Sequence, residues 1–432
     1  MEVDVRTLRD LDLIGSSDGG ANVCDLLDTT RTRRGAQALR RRLTRPLSDP
    51  AAIADVQDAV RFFAHPGRDP LLDARLVERV TRYLDSSFDV LSSRSRLGVA
   101  LESRWAGLRY RDFVKHAREG TGSARALVER TAIGVRRLRE ASPPRPVAEL
   151  LDGIEELCDR LEQGSGAGSP LADDRFFRAQ GRDALSALLD VLGELDALAS
   201  MGDATRRLGL HLPRVHDAPA FRLEGRKLWH PFLPDAVTNP VRVEGGETLV
   251  FLTGPNMAGK TTYLKAVGVA VHLAHCGMAV PAEALDVTCV DALYTSLRPE
   301  DDLRAGLSFF MAEVRRVREV AAHLATGGRA FVLFDEIFRG TNVHDALEAS
   351  KTVIQGFARA SGSGFIVSSH LVELADQLGP DAGVRFAHFE GDIVDGQARY
   401  GFELREGVSR QRLGLHLLEQ EGVPALLDAI GT

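Results

Sequence analysis

Two periodicities divide the chain. Over residues 1 to about 225 apolar positions recur at helical spacing, as in "DPAAIADVQDAVRFFAHP" and "GRDALSALLDVLGELDALASMGDATRRLG", with breaks at "HPGRDP", "EASPPRP" and "GSGAGSP". This pattern predicts an all-helical domain, and the Gly- and Ser-rich break from Gly164 to Pro170 predicts a loop between long helices rather than a domain linker. From about residue 226 to 432 short β-rich runs, "ETLVFLT", "RAFVLFDE", "SGFIVSSH" and "ARYGFELR", alternate with helical stretches such as "TTYLKAVGVAVHLA". Alternation of this kind predicts an α/β sheet domain.

Composition narrows the class. A chain of 432 residues with 44% hydrophobic and 27% charged residues can bury a sizeable core and is of ordinary soluble composition. The apolar run "VGVAVHLAHCGMAV" is interrupted by His and Gly and falls short of the roughly 18–20 residues that span a bilayer. The start "MEVDVRTLRDLDL" lacks the basic and apolar segments of a signal peptide, so the expected location is the cytoplasm, with no membrane partner. Cys24, Cys158, Cys276 and Cys289 lie far apart and form no CxxC pair, which suggests neither a zinc site nor a disulfide framework.

Charge changes the picture of the helical half. The chain carries a formal net charge of −7, yet the segment from Arg94 to Arg139 sums to +8. Its basic residues include Arg94, Arg96, Arg104, Arg109, Arg111, Lys115 and Arg118, set against Glu102, Asp112, Glu119 and Glu129. Trp105, Tyr110 and Phe113 are interleaved with them, a mixture suited to phosphate contact and base stacking. The same residues would also serve as solvated helix faces in a chain whose basic residues are nearly all arginine.

The sheet half contains the candidate chemistry. "GPNMAGKT", Gly254 to Thr261, fits G-x4-G-K-[ST] between an apolar strand and a helix, the context in which that motif binds phosphate. Backbone N–H groups of Gly254, Pro255, Asn256, Met257, Ala258, Gly259 and Thr262, proline excepted as a donor, and the helix N-terminus would face the phosphates of ATP. Lys260 would reach the β and γ phosphates, and Thr261 would offer its hydroxyl to Mg²⁺. "AFVLFDE" ends an apolar strand in Asp335, expected to hold Mg²⁺ through its water shell, and Glu336, expected to activate the attacking water. "FIVSSHLVEL" ends a further strand at His370, placed to contact the γ-phosphate.

These pieces in this order indicate an ATPase of the ABC type, and the lettering narrows it. "TGPNMAGKTTYLK" resembles the phosphate loop of the MutS family of DNA mismatch repair ATPases, TGPNMGGKS, with Ala258 in place of one glycine. "DEIFRGTN", Asp335 to Asn342, resembles that family's DEIGRGTS, departing at Phe338 and Asn342, and "LSFFMAEV", Leu307 to Val314, is similar to its S-T-F-M-x-E segment. The resemblance implies that Ser308 reaches across a dimer to the other subunit's γ-phosphate, hence a homodimer with composite sites. "NVCDLLDTTRTRRGAQALRRRLTRPLSDPAAI", Asn22 to Ile53, looks like the start of the family's lever domain, and "RLGLHLLEQEGVPALLDAI" like its closing helix-turn-helix at the dimer contact. The implied architecture is an all-α lever domain over 1–225, with a reduced clamp, followed by an α/β P-loop ATPase domain over 226–432.

Departures qualify the function. Family members carry two further N-terminal domains, one with a Phe-x-Glu wedge inserted at a mismatched base; the lever here begins near residue 10, so recognition by that wedge is not expected. Ala236 occupies the family's aromatic position against the adenine, and Phe402 falls near the other stacking position, where a core role is the alternative. The reading is an ATP- and Mg²⁺-dependent DNA-binding protein of DNA repair or recombination, nucleoid-associated, acting on mismatched, looped or branched duplex, with room for a repair partner protein. A transport-type ABC ATPase would instead carry LSGGQ where residues 307–313 read "LSFFMAE", and an SMC-type protein would carry long heptad arms. A regulatory module that holds ATP without turnover is the remaining alternative.

Overall fold

The computed structural model describes residues 1–15, 20–70, 72–86, 111–165, 169–233, 235–244, 246–297, 309–338, 340–378, 383–394, 397–411 and 422–430. The chain forms two compact units. One comprises Met1–Leu26, Leu43–Ala54 and Gly209–Thr432, and the other Leu27–Arg42 and Asp55–Leu208.

The first unit is built on two sheets. Its seven-stranded sheet takes β1 (Glu2–Val3), β7 (Ala292–Ser296), β8 (Ala330–Asp335), β9 (Gly364–Ser368), β5 (Leu249–Thr253), β10 (Val384–Val394) and β11 (Gln397–Glu406) in that spatial order. All neighbours pair in parallel except the β10–β11 hairpin. The central strands are unbroken apolar runs because both faces are covered: every residue of β5, β7 and β9 is buried. Helix Lys260–His275 is buried along nearly its whole length. Its Gly268 allows that approach, since a Cβ there would lie 2.6 Å from Leu11 Cδ2 and 2.8 Å from Leu333 Cδ1. A four-stranded sheet adds β2 (Arg214–His216), β6 (Ala284–Thr288), β3 (Leu223–Leu228) and β4 (Asn239–Val243) in that order.

The division differs from a single cut near residue 225. The first residues belong with the sheet, because β1 pairs with β7 and polar side chains fasten the short helix Val5–Asp10 behind it. Buried Arg316 donates to Thr295 O (2.9 Å) and to Thr7 Oγ1 (3.0 Å) and pairs with Asp4, while Asp10 Oδ2 accepts from Thr295 Oγ1 (2.7 Å) and Leu297 N (3.0 Å). Strand content also begins at Arg214, ahead of the expected change of pattern.

The second unit is helical. Helices Arg111–Glu140 and Arg145–Gly164 are joined by a short turn in which Ser142 has φ 52°. Helix Arg182–Arg207 supplies much of the core through Leu185, Leu188, Leu189 and Met201, all 0% exposed. At Gly202 of this helix a Cβ would meet the backbone of Phe63 and Ala64 at 2.6 Å, so only glycine lets the chains approach. A buried network joins Tyr83 Oη to Asp174 Oδ1 (2.8 Å) and Asp174 to Arg178 through two further bonds.

Candidate active site

Strand β5 ends at Thr253, and the next six residues turn the chain sharply into helix Lys260–His275. Gly254 has φ 140° and a Cβ there would fall 2.6 Å from Phe389 O, while Gly259 has φ 102°. Met257, with φ 67°, is the one non-glycine residue of this loop in left-handed backbone, and its side chain is 76% exposed. Ala258 is buried and keeps ordinary backbone, so its methyl in place of the family's glycine imposes no conformational strain. Lys260, 5% exposed, donates from Nζ to Gly254 O (2.7 Å) and Pro255 O (3.1 Å).

Three strand ends meet at this loop because β9 pairs in parallel with β5 on one side and with β8 on the other. Thr261 Oγ1 donates to Asp335 Oδ2 at 2.5 Å, and Ser368 Oγ donates to the other oxygen of Asp335. Glu336, 6% exposed, lies with one carboxylate oxygen 3.8 Å from Lys260 Nζ and the other 3.4 Å from His370 Nδ1. Its backbone N–H donates to Ser368 O (2.9 Å), and its φ of 52° turns the side chain out of the strand register. The sheet thus brings Lys260, Thr261, Asp335, Glu336 and His370 into one cluster. Among the described residues no group of three His, Cys, Asp or Glu converges on a metal position, so the convergent hard donors are the Thr261 hydroxyl and the Asp335 carboxylate.

A cleft opens on each side of the loop. The first, about 700 Å³, is lined by Trp229, Ala236, Val237, Asn239, Tyr263 and Phe402 beside the loop residues. Phe402 lies on β11 with φ 54°, and its Cδ1 is 3.2 Å from where a Gly259 Cβ would be, so the ring rests against the loop. Asn239 fixes that position, donating to Phe402 O (2.9 Å) and accepting from Leu404 N (2.7 Å). Burial pushes the imidazole of His230, in the same lining, down to about 4, so it is neutral near pH 7. The second cleft, about 640 Å³, runs between the loop and Phe338, Thr341, His370 and Tyr400. Asn256, Met257 and Glu336 line both.

Ser308 lies outside the described residues, as do Arg94, Arg96, Arg104 and Arg109. Arg111, Lys115 and Arg118 are exposed on helix Arg111–Glu140. Further along that helix the basic character is partly neutralised: Arg125 pairs with Asp173, Arg130 with Asp73, and Arg139 with Asp152 and Glu155. Sequence reasoning missed Ser368 and Asn239; the first stands in the "SSH" of β9, whereas nothing in the lettering around Asn239 announces its grip on β11.

Fold and site together define a mixed α/β protein with a large helical part, whose parallel sheet presents a phosphate-loop motif to a cluster of acidic and basic side chains. The family model of MutS domain V matches residues 250–429, and that of MutS domain III matches residues 6–169. The chain is a MutS-like protein carrying these two domains. It is 29% identical over 238 residues to the DNA mismatch repair protein MutS of Aquifex pyrophilus, covering 54% of this chain and 27% of that protein. The chain therefore spans about a quarter of the length of that relative.

Proposed function

We propose that this chain hydrolyses ATP in a P-loop, ABC-type site and binds duplex DNA, working as a homodimer in DNA repair or recombination at mismatched, looped or branched sites. One observation carries the reading: the convergence of Lys260, Thr261, Asp335, Glu336 and His370 where three parallel strands end around a glycine-turned loop. The donor set suits Mg²⁺, which keeps most of its waters and takes one or two protein oxygens together with phosphates. When bound it would neutralise charge on the phosphates, held by Thr261 and Asp335. Lys260 would exchange its loop carbonyls for phosphate oxygens, and loop N–H groups would orient the chain of phosphates. Glu336, oriented by Lys260 and His370, would accept the proton of the attacking water. Phe402 would stack on the base in the first cleft, in the absence of an aromatic at Ala236. Ser308 of a second copy would complete the site at the γ-phosphate, and the exposed Arg111, Lys115 and Arg118 would contact DNA phosphates with their neighbours in sequence. On this reading the protein works in the cytoplasm at the nucleoid, and a repair partner could supply lesion recognition.

Steady-state turnover measured beside equilibrium nucleotide binding tests the chemistry. Glu336→Gln is expected to bind ATP while turnover falls about 10²- to 10⁴-fold, and Lys260→Ala to lose binding. Full turnover in Glu336→Gln would refute the assignment. A wild-type chain that binds ATP without hydrolysing it would favour a regulatory module. Affinity for homoduplex, mismatched, looped and four-way-junction DNA, with and without ATP, tests the substrate.

A further inference from the structure

Besides the arginines of the segment Arg94–Arg139, the helical unit carries a second group of exposed basic residues, on the face of helix Ala74–Leu84 turned away from the Tyr83 side that meets helix Arg111–Glu140. A groove of about 440 Å³ lies between the start of helix Arg33–Thr44 and the outer face of helix Ala74–Leu84. Five arginines line it, Arg31, Arg33, Arg75, Arg79 and Arg82, with Glu78 the acidic residue among them. All five are exposed. Arg31 is committed to Asp69 and Arg82 leans toward Glu78 at 3.6 Å, whereas Arg33, Arg75 and Arg79 form no ion pair among the described residues.

Both walls are fixed from beneath. Buried Asp196 accepts from Thr32 N (2.9 Å), Thr32 Oγ1 (2.7 Å) and Arg31 N (3.1 Å), and Thr32 Oγ1 in turn accepts from Gly35 N (2.9 Å). This anchors the turn that carries Arg31 and Arg33. The opposite helix is capped by Asp73, which accepts from Leu76 N (3.0 Å), and it buries Leu76, Val77, Val80, Tyr83 and Leu84. Arg75, Arg79 and Arg82 then lie along the exposed face at i, i+4 and i+7. The stripe is about 10 Å long at 1.5 Å per residue, about three base-pair steps of duplex at 3.4 Å each. Like charges at these spacings destabilise a helix, and among the described residues Arg75 and Arg79 have no ion-pair partner to offset it.

We propose that this groove seats the sugar–phosphate backbone of duplex DNA, through arginines additional to those of Arg94–Arg139. The donors are guanidinium groups, whose planar forks match phosphate oxygens. No aromatic ring is among the described lining residues, so the groove offers a nucleobase nothing to stack on, and an extended backbone fits it better than a free nucleotide. The proposal rests on the DNA-binding function proposed for the chain.

The test uses the full chain and fluorescence anisotropy with a duplex of about 30 base pairs over a series of salt concentrations. The triple variant Arg33→Gln, Arg75→Gln, Arg79→Gln should lower the slope of log affinity against log salt by about 2.7, roughly 0.9 for each phosphate no longer neutralised. Its DNA-free ATP turnover should match wild type, and its thermal midpoint should equal or slightly exceed wild type, because the Arg75–Arg79 repulsion is removed. The matching Lys variant, which keeps the charge, should retain most of the slope. A wild-type chain that binds no duplex at low salt refutes the DNA-binding reading together with the groove. Wild-type binding with an unchanged slope and affinity in the Gln variant refutes the groove alone. So does loss of polyglutamate binding without loss of DNA binding, which would assign the groove to an acidic protein.

Discussion

Lowering the pH should destabilise the sheet unit through its buried imidazoles, His230 and, deepest in the core, His272 and His275. His272 and His275, both 0% exposed, lie one turn apart on helix Lys260–His275. His272 donates from Nε2 to Leu43 O (2.8 Å), and its Nδ1 is buried without a hydrogen-bond partner among the described residues. His275 donates from Nδ1 to Val271 O (2.9 Å) and accepts at Nε2 from Val290 N (3.1 Å). Protonation of either ring would place a cation in the core, and at His275 it would also set two donors against each other. Burial accordingly pushes both pKa values down to about 4, from 6.5. Because the unfolded chain takes up these protons first, the stabilisation is complete above pH 6.5 and is lost as the pH falls from 6.5 toward 4. Between pH 7.5 and 5.5 each ring should contribute a loss of about 1.3 kcal/mol. Carboxylates titrate mostly below that window. The assay is urea denaturation at the two pH values, monitored by Trp229 fluorescence in a Trp105→Phe background. His275→Gln, whose amide can keep both neighbours, should reduce the pH-dependent loss by about 1.3 kcal/mol. A variant that loses as much stability as wild type over this window would show that the buried ring is not the titrating group.

Three further outcomes are expected from the geometry. Gly254→Ala should abolish measurable ATP binding in a fluorescent-nucleotide titration, because a Cβ at φ 140° would stand 2.6 Å from Phe389 O and shift the loop. Phe402→Ala should weaken ATP and ADP equally, about fivefold or more if the ring supplies the 1–3 kcal/mol typical of base stacking; unchanged affinity would give the ring a structural role. Tyr83→Phe should cost the helical unit about 1.5–3 kcal/mol in denaturant titrations, since Asp174 stays buried after losing its phenol donor.

What the sequence discloses depends on how local the determinant is. The phosphate loop, Asp335 and Glu336 stand in contiguous runs, and strands such as β8 advertise themselves because burial on both faces demands an unbroken apolar stretch. Strand β1 has two residues and no pattern of its own; it exists because β7 offers an edge and Arg316 binds Asp4 and Thr7. The same holds for the grip of Asn239 on β11, which joins residues 163 positions apart. Charge is legible as a segment sum, and that favours Arg94–Arg139. The groove has no such signature because it assembles Arg31 and Arg33 with Arg75, Arg79 and Arg82, which only the packing against Asp196 and the capping by Asp73 bring to face each other.

Met257, Glu336, Phe338 and Phe402 are non-glycine residues held in left-handed backbone, and all four line the two clefts beside the phosphate loop. Each such residue costs about 1–3 kcal/mol unless surrounding structure offsets it. The molecule therefore keeps part of its potential stability as rigidity at the site. A screen for thermostable variants should find ready gains at exposed Met257, with Gly or Asn favoured, whereas at buried Phe338 the lost packing would outweigh the relief. Such a gain should come with slower turnover, which makes the position a poor target for engineering a hardier protein and a good one for trapping a slow, well-ordered form.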